Sequence, residues 1–86
     1  MTYFAQELQA GNPPYFRILG QSSFPRRSAA YAWIIDYVRE RKGTIVAADN
    51  DEENDAMDIM AMIQGNLRQF AVEPTSRIQS RPLKQI

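Results

Sequence analysis

Six carboxylates crowd positions 49 to 58 of this 86-residue chain: Asp49, Asp51, Glu52, Glu53, Asp55 and Asp58. The sequence holds no cysteine and no histidine, which excludes thiolate chemistry, the usual zinc sites and Ser-His-Asp catalysis. What chemistry remains falls to carboxylates acting with a hard cation. Asp49 and Asp51 are two apart, so on an extended backbone both project to the same side. Two carboxylates held together favour a cation between them, and magnesium takes one or two such groups plus water or phosphate oxygens. The functional reading is a weak Mg2+ (or Mn2+) site that grips a phosphodiester, with Asp49 and Asp51 as metal ligands and Glu53 and Asp55 in the outer shell. The competing reading is structural. Acids in a first helical turn contribute about 0.3–1 kcal/mol each through the dipole, and Asp51 or Asn54 would serve as an N-cap. A calcium loop of the helix-loop-helix type is disfavoured, because counting from Asp49 the required glycine and glutamate positions hold Asn54 and Met60.

The elements that must position these acids follow from hydrophobic spacing. Residues 15–19 read as a short strand stopped by Gly20. From 26 to 42, Ala30, Trp33, Ile34, Tyr37 and Val38 recur at intervals of three and four, one face of a helix that ends in a basic turn and Gly43. Residues 44–48 form a continuous apolar run, as in a strand covered on both faces, and lead directly into the acids. A second helix is expected from 52 or 54 to 66 on the spacing of Ala56, Ile59, Met60, Ile63 and Leu67, and a third strand over 69–72. Strand-helix alternation of this kind implies parallel strands joined by right-handed crossovers. The expected fold is therefore α/β, a two-layer or three-layer parallel sheet in β-α-β-α-β order. Residues 1–14 read as an N-terminal arm, 15–76 as the core and 77–86 as a flexible basic tail. In open parallel sheets ligands gather beyond the carboxyl ends of the strands, which puts Asp49 at the functional rim.

The same rim would carry Arg26, Arg27 and Ser23, read as contacts to nucleic-acid phosphates; solvated arginines and a helix-capping serine are the plainer account. Trp33, Tyr31 and Tyr37 are aromatic enough to stack bases, but on a helix that covers a sheet they read first as core. Ten basic and ten acidic residues cancel, which argues against indiscriminate nucleic-acid binding. No apolar run approaches the roughly 20 residues of a membrane span, and no basic signal start is present, so a cytoplasmic protein is expected.

Residues Ile45 to Glu52 followed by an expected amphipathic helix, and the segment Gly20-Gln21-Ser22-Ser23-Phe24-Pro25 before its helix, resemble the Toprim (topoisomerase-primase) domain. The likeness lies in its carboxyl-terminal half, in the primase-like and mobilisation-associated branch, and covers about residues 16–73. It implies half of a Rossmann-like parallel fold and a magnesium-binding module of a nucleic-acid-processing system, with Asp49 and Asp51 as metal ligands. The family's general acid/base glutamate has no identifiable counterpart, so the implied module is catalytically incomplete and its catalytic residues are unknown. A second reading is a noncatalytic protein-interaction domain that retains this fold and binds a partner through an uncovered sheet edge or its tail.

Overall fold

The computed structural model describes residues 2–20 and 23–74. The expected tail, 77–86, lies outside the described residues. Six elements follow one another: β1 (Tyr3–Gln9), β2 (Tyr15–Ile18), α1 (Arg27–Glu40), β3 (Thr44–Asp51), β4 (Ala56–Ile63) and β5 (Asn66–Pro74). The strands form one sheet in the order β2-β1-β5-β4-β3, and every pairing is antiparallel.

This corrects the expected parallel α/β sheet and, with it, the Rossmann-like arrangement that the Toprim resemblance implied. The reason lies in residues 52–66. They form a turn and β4 where the spacing predicted a second helix. The segment Ala56-Met57-Asp58-Ile59-Met60-Ala61-Met62-Ile63 is so apolar that it satisfies a period of two as well as one near 3.6. In the sheet, Ile59, Ala61 and Ile63 are buried in the core while Asp58 and Met62 are exposed. Gln64 (φ 53°) and Gly65 (φ 80°) then make a two-residue turn between the paired Ile63 and Asn66. Positive φ at both central residues matches the twist of a tight hairpin, and glycine adopts it without strain. Strands joined by two or four residues can only run antiparallel.

With one crossover helix left, α1 has to carry the chain from β2 at one edge to β3 at the other. Four strand spacings amount to about 19 Å and fourteen helical residues to about 21 Å, so the lengths match. The helix contacts β1, β5, β4 and β3 and buries Ala30, Ile34 and Val38. These meet Ala5, Ile59, Ala61, Ile63, Phe70 and Val72 in the core. Full burial of a side chain such as Ile34 or Phe70 stabilises by roughly 1.5–3 kcal/mol.

Residues 3–9, placed ahead of the core by the sequence reading, are β1, between β2 and β5. Ser23 is exposed and does not cap α1. The N-cap position is Arg26, in extended conformation and without a side-chain cap. At the other end, the left-handed conformation expected of Gly43 falls on Lys42 (φ 58°). Gly43 is required for space instead: a Cβ there would lie 2.7 Å from Ile63 Cγ1 and 2.8 Å from the Met62 carbonyl oxygen.

Candidate interaction surface

The acids sit on the β3–β4 hairpin. Its register places Asp49 opposite Asp58, Asn50 opposite Met57 and Asp51 opposite Ala56, leaving residues 52–55 as the loop. The Asp51 carboxylate is turned into that loop, accepting from the Asn54 backbone N–H at 3.3 Å and from Asn54 Nδ2 at 2.7 Å. Asp55 takes the left-handed position (φ 55°) that closes the loop. Its Oδ2 accepts from the Tyr3 hydroxyl at 2.5 Å, and its Oδ1 lies 3.4 Å from Arg27 Nη1. The hydrogen bond to Asp55 raises the Tyr3 phenol above its ordinary pKa, with burial adding to the effect. Glu53 is exposed in the loop.

The site residues named from sequence are therefore divided. Arg27 and Asp55 are paired with each other, and with Tyr3 they tie β1, α1 and the hairpin loop together. Asp51 holds the loop closed. Arg26 is exposed at the helix start, and Ser23 is exposed beside Phe24, whose backbone exchanges two 2.8 Å hydrogen bonds with Tyr3. Asp49 has Asp58 as its direct cross-strand neighbour, and Asp49 and Asp51 lie two apart on the same strand, β3. Among the described residues no group of three or more acids gathers closely enough to hold a metal ion.

Sequence reasoning missed two features. The first is the place of β3, whose residues 44–48 were expected in a covered central strand. β3 is an eight-residue strand at the sheet edge, and among the described residues nothing pairs along its outer side. Residues 46–50 are all exposed, Val46 to 57%. The strand contains neither proline nor lysine, two residues that commonly blunt an edge. A bulge at Val46, where the register slips between Ile45 and Ala47, leaves Ala47 to Asp51 as the regular part. Next to it, on the sheet face away from α1, a depression of about 320 Å3 is lined by Phe16, Ala47, Asp49, Asp58, Met60 and Gln69, among others. Farther along the hairpin, Met62 and Leu67 pair across β4 and β5 and are 40% and 54% exposed. The surface thus runs from apolar at the start of β3 to acidic at its end. The pattern 44–48 reads as a central strand because it is apolar throughout; the clue to an edge was the hairpin turn downstream.

The second missed feature is a half-buried ion pair. Glu7 on β1, with its side chain 5% exposed, receives Arg68 of β5 through two hydrogen bonds, from Nε and from Nη2, the latter at 2.7 Å. Arg68 Nη2 also donates to the Tyr37 hydroxyl at 3.2 Å. The bonds to Glu7 push the guanidinium pKa up, against the opposing pull of burial.

The chain matches no family profile, no curated protein and no solved structure. No helix among the described residues is long and apolar enough to cross a membrane.

Proposed function

We propose that this protein is a noncatalytic interaction module that binds an extended polypeptide segment as an added strand along β3. The observation that carries the reading is the edge: eight residues long, exposed from Val46 to Asn50, and unpaired on its outer side among the described residues. Backbone groups on such an edge supply affinity to any extended chain, and the flanking surface supplies selectivity. Here that surface is apolar near Val46, Met62 and Leu67 and acidic near Asp49 and Asp58. It favours a partner with apolar residues at one end and lysine or arginine at the other. The bulge at Val46 confines regular pairing to Ala47 through Asp51, which suits a short segment and discourages open-ended stacking of sheets.

A metal-dependent nucleic-acid module drew its geometry from a parallel strand ending at a ligand-binding rim. In the antiparallel hairpin, Asp51 and Asp55 are engaged in loop and helix contacts, so that argument does not support it.

The test uses two short synthetic peptides, one alternating valine with lysine and one alternating valine with glutamate. The lysine peptide is expected to slow amide exchange at the outward-facing positions of 47–51 and to bind more tightly at low salt. The glutamate peptide is expected to do neither. Val46→Lys, which places a charge on the edge without touching the core, should weaken binding while leaving the fold intact. Equal binding of both peptides, or protection confined to another strand, would overturn the reading.

A further inference from the structure

A second cleft, of about 500 Å3, opens between β2 and α1, with Arg17, Ile18 and Gly20 on one side and Trp33, Tyr37 and Arg41 on the other. Its volume lies in the range of small-molecule sites. Helical spacing of four stacks one wall into a ladder. The Trp33 and Tyr37 rings are stacked at 5.3 Å between centroids and 28° between planes, and the Arg41 guanidinium lies 3.6 Å from the Tyr37 centroid. Arg41 Nη1 also donates to the Tyr37 carbonyl oxygen at 3.1 Å. This fixes the guanidinium and offsets the negative pole of the helix C-terminus, which would otherwise oppose an anion.

Arg17 faces this wall from β2 and makes no ion pair among the described residues. Glu40, at the rim, lies 3.9 Å from Arg41 Nη1 with its side chain 77% exposed, so the cleft holds two guanidinium groups against one well-solvated carboxylate. Gly20 has φ 74°, and a Cβ there would lie 3.2 Å from Trp33 Cζ2. The backbone therefore reaches the indole directly, and a larger residue would crowd the cleft. Arg68, behind Tyr37, is already engaged by Glu7 and the phenol.

We infer that this cleft binds a small organic phosphate with an aromatic body, of the nucleoside monophosphate class. The phosphate sits between Arg17 and Arg41, whose planar forks match its oxygens. The ring lies against Ile18 and the part of Trp33 that lines the cleft, outside its contacts with Tyr37 and Phe24. The site is on the helix face of the sheet and independent of strand addition at β3.

Trp33 is the sole tryptophan, so its indole N–H resonance reports on the cleft without assignment ambiguity. The full chain is titrated with adenosine monophosphate, with adenosine and inorganic phosphate as separate arms. The monophosphate is expected to shift the Trp33 signal saturably, and each half-ligand to bind at least about tenfold more weakly. Arg17→Ala and Arg41→Ala, both at exposed positions, should each weaken the monophosphate about tenfold, and Gly20→Ala should alter the Trp33 response. Absence of a saturable Trp33 shift at low salt, or binding indifferent to Arg17→Ala and Arg41→Ala, would overturn the inference. Inorganic phosphate binding as tightly as the monophosphate would remove the aromatic half of it.

Discussion

Asp55 combines two demands in one residue: a left-handed backbone and a carboxylate that reaches both Tyr3 and Arg27. Asn tolerates that backbone better than most side chains, so Asp55→Asn should cost less than Asp55→Ala. The alanine variant, which loses both contacts and gains strain, should lose roughly 1–3 kcal/mol in urea unfolding. The Tyr3 phenol gives a matching pH signature. Its pKa is raised in the folded chain, so folding favours the protonated form. The contribution is complete below the unfolded phenol value and is lost as pH rises through the folded one. In an ultraviolet phenolate titration the Tyr3 phenol should ionise above the ordinary phenol range, and Asp55→Asn should bring it back toward that range. Arg68 presents a sharper case. Arg68→Met leaves the Glu7 carboxylate, 5% exposed, without its cation and should destabilise by on the order of 3 kcal/mol; Glu7→Leu added to it should recover most of the loss. These residue roles were hidden in the sequence because the partners lie 61 and 52 positions apart, and only the strand order brings them together.

At the scale of elements, α1 was legible and β4 was not. The helix announces itself through Ala30, Ile34 and Val38, one stripe with a basic end, and forms over Arg27–Glu40. The residues 56–63 are methionine, alanine and isoleucine around one aspartate, and helix-forming types at positions that also alternate cannot choose between the two periods locally. The choice was made by Gln64-Gly65, which supply two consecutive positive-φ positions, and by the core that Ile59, Ala61 and Ile63 complete. From that single misreading follow the parallel sheet and the misplaced rim. Gly43 offers a test of how tightly the end of α1 meets this hairpin. Gly43→Ala forces a methyl into Ile63, Val38 and the Met62 carbonyl and should destabilise by roughly 1–3 kcal/mol, measured by thermal or urea unfolding.

Among the described residues, one helix covers one face of five strands, and the two edges are β2 and β3. The short β2 also lines the cleft beside α1, whereas β3 presents a long regular rim. The acidic stretch read in the sequence as a metal site belongs to this rim: Asp51 and Asp55 build the hairpin loop, and Asp49 lines the depression with Asp58. The whole account depends on β3 being an edge. Amide hydrogen exchange measured residue by residue through Ala47–Asp51 decides this directly, because an edge strand hydrogen-bonds its neighbour only through alternate residues. The expected result is protection alternating along the strand, slow where the amide faces β4 and fast where it faces outward. Continuous protection of every amide from 47 to 51 would show a strand covered on both sides and would contradict both the fold and the interaction surface drawn from it.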